Sequence, residues 1–183
     1  WQKLRVEEMI LESGLPFTIL QPAPYMQNLL VNWKSIVENG ILRVPYSVNS
    51  KFSFVDLEDV AEGAKIVLTE QNHTNAIYEL VGTLPLSYVD VAEILSRVLN
   101  RDVRAEKEDI GDWRLRASTA LATNARSAQR DKYVIENLVK MFEYYDNWGL
   151  VGNSNVLRWL LRREPTSLDM FVDRIVNKND AIH

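Results

Sequence analysis

The chain has 183 residues, a length that suits one domain with its own hydrophobic core better than two. Its 46% hydrophobic and 25% charged residues are typical of a globular protein, and no apolar run is long enough to cross a membrane. A formal net charge of -4 disfavours direct binding to nucleic acid, and the absence of cysteine excludes disulfides and thiolate sites and favours a reducing, cytoplasmic location.

The first part of the chain predicts alternating helices and strands. The segment from Lys3 to Ser13 has the spacing of a surface helix, and Gly14 supplies its left-handed cap. The apolar run Phe17 to Leu20 follows without alternation, which predicts a strand covered on both faces and hence a parallel α/β sheet. A second helix is predicted from about Tyr25 to Glu38. Because the chain opens at Trp1, inside a predicted helix, we expect it to be a fragment.

Further strands and two amphipathic helices are predicted in the middle of the chain. Short β-rich runs predict strands at 41–45, 51–55, 76–81 and 101–106. Asp56 is the predicted N-cap of the first helix, whose apolar residues from Leu57 to Leu68 recur at helical spacing. The second helix has the same spacing after Ser87-x-x-Asp90, the pattern of a capping box.

The end of the chain predicts a small helical subdomain. Helices are expected from about Ile110 onward, and Thr166-x-x-Asp169 marks the start of the last one. The chain has no internal repeat, low-complexity tract or flexible linker, so we expect one compact unit.

Several common kinds of site are disfavoured by the residues present. The only histidines are His73 and His183, which do not support a histidine metal site or a Ser-His-Asp triad, and we predict no metal. The glycines form no phosphate-binding pattern. Asp56 and Asp59 are best explained as acids at a helix start, and the cluster Arg162 to Glu164 as a solvated helix end. Four aromatic residues are predicted to lie in the core, namely Phe52, Phe54, Trp113 and Trp148.

Three consecutive segments nevertheless carry a family pattern, namely Trp1 to Glu8, Ser13 to Leu20 and Pro22 to Asn28. They resemble the NmrA-like family of atypical short-chain dehydrogenases, in which a helix bearing a lysine precedes a strand and then a loop with an aromatic or methionine residue and an asparagine. Later segments are similar to the family in the same order, namely Phe54 to Ala61, Tyr78 to Leu80, Met141 to Tyr145 and Arg163 to Leu168. The resemblance covers nearly the whole chain.

The resemblance implies an α/β fold that is the C-terminal part of a Rossmann-type parallel sheet with a helical C-terminal substrate subdomain. Residues 1–70 would be the C-terminal part of the NAD(P)-binding Rossmann domain, and residues 71–183 a mixed strand and helix substrate-side subdomain in the same compact unit. The glycine-rich turn that receives the pyrophosphate would lie before Trp1. We therefore expect NAD(P) as the cofactor of the full-length protein and none bound to this fragment, which we expect to be inactive.

The resemblance also implies a site. Lys3 would match the family's active-site lysine, which binds the nicotinamide ribose and in the reductases lowers the pKa of a neighbouring group. The loop residues Pro22, Tyr25, Met26, Gln27 and Asn28 would line the nicotinamide. The family's catalytic tyrosine, four residues before the lysine, would fall before Trp1. Without the resemblance, Lys3 is an ordinary surface lysine, and Tyr25, Met26 and Asn28 equally suit core packing and a helix cap.

Two functions follow from the resemblance. The first is an NAD(P)-dependent oxidoreductase that reduces a small hydrophobic carbonyl or quinone-type acceptor. The alternative is a non-catalytic, NAD(P)-binding redox-sensing regulator that binds partner proteins, and a third possibility is a structural remnant without activity.

The partners would be a small-molecule substrate or a regulatory protein, with no nucleic acid and no membrane. Because the strand at Phe17 to Leu20 would have an uncovered edge, we expect the truncated chain to self-associate.

Overall fold

The computed structural model describes residues 2–121 and 128–180. Within these ranges the α-helices are Gln2–Glu12 (α1), Trp33–Asn39 (α2), Leu57–Thr69 (α3), Tyr88–Leu99 (α4), Ile110–Leu121 (α5), Ala128–Trp148 (α6), Asn155–Leu161 (α7) and Leu168–Asp180 (α8). The strands are Thr18–Pro22 (β1), Ile41–Val44 (β2), Ala76–Leu80 (β3) and Arg104–Lys107 (β4). None of the helices in the described ranges is long and apolar enough to span a membrane.

The strands form two parallel pairs. β1 pairs with β3, with Thr18 opposite Ala76, and β2 pairs with β4, with Ile41 opposite Arg104. Parallel strands need long crossover connections, which the intervening helices supply. The predicted α/β fold with parallel strands and a helical C-terminal part is thus confirmed. Each pair joins a strand from residues 1–70 to a strand from residues 71–183, and the proposed division between these ranges stays a prediction.

The buried side chains form two clusters. The larger one brings together the turn after β1, the strand β2 and the helices α4 and α8. It includes Phe52 and Phe54, which are 1% and 2% exposed, as predicted for core residues. The smaller one packs α7 against α3 and β3. Gly63 permits that contact, since a Cβ there would lie 3.2 Å from a methyl carbon of Leu160. Trp148 was predicted to be a core residue, but it is 75% exposed at the end of α6, so that prediction is wrong.

The strand predicted at 51–55 is not formed as a regular strand. Phe52 makes single bridges to Leu86 and Leu150, whereas Val55 bridges to Tyr25. Successive residues of this segment therefore bond to different neighbours, and no ladder with one partner can extend. The alternation of Phe52 and Phe54 comes from an extended segment buried between several elements.

The helix predicted from Tyr25 to Glu38 is divided. A 3-10 helix spans Met26–Asn32, and α2 begins at Trp33. α2 is followed by Gly40, whose φ of 66° provides a left-handed C-terminal cap. A Cβ at this position would also lie 2.4 Å from the carbonyl oxygen of Asp102, so only glycine fits.

Two helix starts in the middle of the chain are confirmed and the last one is corrected. The Asp56 carboxylate accepts a hydrogen bond from the Glu58 N–H, and Ser87 and Asp90 form a capping box. Thr166 does not cap α8, because both its N–H and its hydroxyl donate to the Asp59 carboxylate. The Ser167 hydroxyl accepts from the Met170 N–H instead.

Three predicted boundaries or faces also differ in detail. β1 is only partly covered, with Ile19 buried and Gln21 exposed, whereas the sequence predicted a strand covered on both faces. β4 starts at Arg104 rather than Arg101, since Asn100 adopts a left-handed conformation that redirects the chain. On α3, Leu68 is 83% exposed, and Gly63 and Asp59 occupy the buried positions instead.

Candidate functional site

A cavity of about 580 Å³ lies at the carboxyl ends of β1 and β2. Its wall contains Pro22 to Pro24 at the end of β1, Val44 to Tyr46 at the end of β2, and side chains of α5 and α6. Ligands of parallel α/β sheets bind at such strand ends, and the volume suits a small molecule. The cavity is therefore the candidate functional site.

The residues predicted from the resemblance meet in part on this cavity. Lys3, Pro22, Tyr25 and Asn28 line it together, although Lys3 comes from α1 and the other three from the turn after β1. The ammonium of Lys3 and the amide of Asn28 thus face the same space. Whether they contact a cofactor stays a prediction.

Met26 and Gln27 do not line this cavity. Met26 is fully buried in the larger core cluster, and Gln27 donates from Nε2 to Asp56 Oδ1 at 2.6 Å. Both side chains are engaged elsewhere, since Met26 packs in the core cluster and Gln27 is bonded to Asp56. The roles predicted for Met26 and Gln27 at the nicotinamide also stay predictions.

The turn is held rigidly against the start of α3. The Met26 N–H donates to the Val55 carbonyl, and the Val55 N–H donates to the Pro24 carbonyl, both at 3.0 Å. The Leu57 N–H donates to Gln27 Oε1 at 3.2 Å. These bonds fix the backbone that presents Tyr25 and Asn28.

Asp56 anchors the same region from a fully buried position. Its carboxylate accepts from Gln27 and from the Glu58 N–H, and it forms an ion pair with Arg174 of α8. Burial favours the protonated form, but the hydrogen bonds from Arg174, Gln27 and the Glu58 N–H outweigh it and hold the pKa of Asp56 below its ordinary value. Asp56 is an anionic anchor, in agreement with its prediction as a structural acid.

The other residues interpreted as structural also have structural partners. Asp59 is buried and pairs with Arg163 at 2.7 Å, and Arg162 pairs with Glu70 at 2.6 Å. His73 Nδ1 lies 2.9 Å from the Tyr78 hydroxyl, and His73 does not line the cavity. His183 lies outside the described residues.

Aromatic side chains form much of the cavity wall. Tyr46 lies among Phe52, Tyr88, Phe142 and Tyr145, with ring centroids 5.2 to 5.6 Å away. Trp113 was predicted to be a core residue, but it is half-buried and lines the cavity. Flat rings of a ligand can stack on such a wall or meet it edge to face.

Tyr46 and Tyr88 were missed as site residues by sequence reasoning. Their hydroxyl oxygens lie 2.8 Å apart, and both residues line the cavity. Burial raises the pKa of Tyr88 to about 12 and that of Tyr46 still further, so both hydroxyls keep their protons at neutral pH. The only signal in the sequence was the position of Tyr46 just after a strand end.

The charged groups at the cavity are mostly paired. Arg116 lies 2.5 Å from Glu108, and Arg43 lies 3.5 Å from Glu106. Among the cations that line the cavity, Lys3 is the one for which no ion pair is found within residues 2–121 and 128–180, and Asn28 lines the same cavity. An ammonium and an amide suit the ribose hydroxyls and carboxamide of a nicotinamide nucleotide, and the aromatic wall suits a flat second ligand.

Comparisons with known proteins find similar sequences. A sequence model of the NmrA-like family matches residues 1–172. An NAD(P)H azoreductase from Xenophilus azovorans is 37% identical over 98 residues, which are 54% of this chain and 34% of the azoreductase. Quinone oxidoreductase 2 from Escherichia coli is 22% identical over 179 residues, which are 98% of this chain and 59% of that protein.

Solved structures show the same fold. The E. coli NADPH-dependent quinone oxidoreductase in complex with NADPH covers 95% of this chain with a TM-score of 0.78 and 21% identity. The Citrobacter triphenylmethane reductase in complex with NADP(H) covers 93% with a TM-score of 0.74 and 22% identity. This chain covers 58% and 57% of those two chains, so it spans little more than half of their length.

Proposed function

The chain belongs to the NmrA-like family, and from that premise we propose that it forms the nicotinamide end and the substrate side of an NAD(P)H-dependent reductase. The substrate would be a small hydrophobic carbonyl or quinone-type acceptor. The observation that carries the proposal is that Lys3 and the turn after β1 line one cavity whose wall includes eight aromatic residues. The absence of cysteine suits a reducing compartment, and we place the reaction in the cytoplasm.

In this proposal the residues at the mouth of the cavity hold the cofactor. Lys3 binds the nicotinamide ribose through its ammonium, and Pro22, Tyr25 and Asn28 form the surface against which the nicotinamide lies. Gln27 is a positioning residue, because it ties the turn to Asp56, and Met26 supports the turn from the core. The bound dinucleotide supplies the hydride for the reduction.

The acceptor lies on the aromatic wall. Phe52, Phe142 and Tyr145 offer apolar rings, which favour a flat, neutral molecule over a charged one. One relative is named an azoreductase, and one protein of similar structure is named a triphenylmethane reductase, whose acceptor carries three phenyl rings. These names support an aromatic acceptor for this chain.

The proposal is tested on the natural polypeptide that carries these residues. NADPH and NADH are titrated by calorimetry, and their oxidation is followed with a panel of quinones, aromatic ketones and azo compounds. We expect binding and turnover with at least one acceptor. Binding of the dinucleotide without turnover would contradict the reductase and favour the regulator instead.

The Lys3→Ala variant tests the assigned residue. Loss of a charge-assisted hydrogen bond should weaken dinucleotide binding by about 10- to 100-fold. Arg5→Ala is the matched control, because Arg5 is an exposed cation on the same helix that does not line the cavity. Equal effects of the two substitutions would contradict a specific role for Lys3.

A further inference from the structure

The paired hydroxyls of Tyr46 and Tyr88 are the polar feature of an otherwise apolar part of the cavity wall. Tyr46 follows the carboxyl end of β2, and Tyr88 is the first residue of α4. Tyr46 is 8% exposed and Tyr88 is 6% exposed, and both residues line the cavity. Phe52 contacts both rings, at centroid distances of 5.2 and 5.5 Å.

The hydrogen bond between the two hydroxyls leaves one hydrogen atom without an acceptor. Two phenols carry two hydrogens, and the contact at 2.8 Å uses one of them, whichever residue donates. Within residues 2–121 and 128–180 neither hydroxyl has another hydrogen-bond partner. A buried donor without an acceptor costs free energy, so an acceptor atom placed next to the pair in the cavity gains a hydrogen bond there.

The state of protonation makes the pair a donor. Burial keeps both phenols neutral at physiological pH, so neither can act as an anionic acceptor. The hydroxyl that accepts from its partner is also polarised by that bond, which strengthens its own donation.

Resting on the proposed reductase function, we infer that the Tyr46–Tyr88 hydroxyl pair donates a hydrogen bond to the carbonyl oxygen of the acceptor substrate and thereby selects quinones and ketones over hydrocarbons of the same shape. The two tyrosines are then specificity-determining residues. The neighbouring rings bind the flat body of the acceptor, and the pair fixes which edge carries the oxygen.

The test measures binding of 1,4-naphthoquinone and of naphthalene to the natural polypeptide that carries these residues, without any dinucleotide. Tyr46→Phe/Tyr88→Phe removes both hydroxyls and keeps both rings. We expect this variant to bind naphthoquinone about 5- to 10-fold more weakly, with naphthalene affinity unchanged. Tyr144→Phe is the matched control, because Tyr144 is exposed on α6 and does not line the cavity, so loss of its hydroxyl should leave both affinities unchanged.

Unchanged naphthalene binding by the double variant shows that its cavity is intact. Equal losses for both probes, no loss for naphthoquinone, or no naphthoquinone binding by the wild type would each overturn the inference. NADPH binding is measured on the same samples. If NADPH binds and the quinone preference is absent, only this inference fails, whereas a quinone preference without NADPH binding contradicts the proposed function alone.

Discussion

Two buried carboxylates, Asp56 and Asp59, lie at the start of α3 and connect distant parts of the chain. Asp56 joins the turn after β1 to α3 and α8 through Gln27 and Arg174. Asp59 accepts from Thr166 and pairs with Arg163, which fixes the segment between α7 and α8. Buried charges are tolerated only where such partners satisfy them. The geometry of the cavity mouth therefore depends on residues that do not line it.

Asp90 provides a prediction about pH. Hydrogen bonds from the Lys51 ammonium, the Ser87 N–H and the Ser87 hydroxyl lower the pKa of Asp90 to about 2. A folded-state pKa below the ordinary value of 3.8 means that the ionised carboxylate stabilises the fold above about pH 4, and that this contribution is lost as pH falls towards 2.

We therefore expect Asp90→Asn to reduce the free energy of unfolding by about 1 kcal/mol at pH 7 and by clearly less at pH 3. Urea unfolding at both pH values measures the difference. Glu93→Gln, at an exposed position of the same helix, is the control and should change little. A loss of equal size at both pH values would contradict the assigned role of the carboxylate.

Residue identities alone could predict some of these roles but not the directions of the side chains in the turn. Asp56 and the Ser87–Asp90 box were predictable, because capping acids precede a helical periodicity in the sequence. Met26 and Gln27 could not be separated from Tyr25 and Asn28, because the contacts of Met26 in the core cluster and of Gln27 with Asp56 depend on tertiary packing. The hydroxyl pair joins residues 42 positions apart, a contact that depends on tertiary packing.

At the scale of elements, periodicity predicted the long helices well and the extended segments less well. α4 buries Val91, Ala92 and Leu95 at the predicted spacing. The segment at 51–55 has the composition of a strand, but its neighbours belong to three different parts of the chain. Composition shows that a segment is extended and buried, whereas pairing with one partner depends on the rest of the fold.

The helix α1 presents apolar side chains on its surface, with Leu4 53% exposed and Met9 65% exposed. Large exposed apolar patches are uncommon on monomeric proteins. We propose that a polypeptide limited to residues 1–183 covers this surface with a second copy of itself.

Sedimentation velocity of that polypeptide should show self-association, and Leu4→Lys/Met9→Lys should reduce it. Leu115→Lys is the control, since Leu115 is 71% exposed on α5 and does not belong to the α1 surface. A polypeptide that stays strictly monomeric at high concentration would contradict the proposal.

At the scale of the whole molecule, the turn after β1 supplies Asn28 to the lining of the cavity, and the segment after β2, α5 and α6 supply the aromatic residues Tyr46, Trp113, Phe142 and Tyr145. This arrangement brings Lys3 into the same space as Trp113, although the two residues lie on distant elements. A cofactor end and an acceptor could thus meet within about 580 Å³.

The central claim is that Lys3 and the turn after β1 hold the nicotinamide ring in this cavity. A crystal structure of the natural polypeptide with NADPH tests it most directly. The account predicts the nicotinamide ribose in hydrogen-bond contact with the Lys3 ammonium and the ring against Tyr25 and Asn28. A nicotinamide bound elsewhere, with Lys3 in solvent and the cavity empty of cofactor, would contradict it.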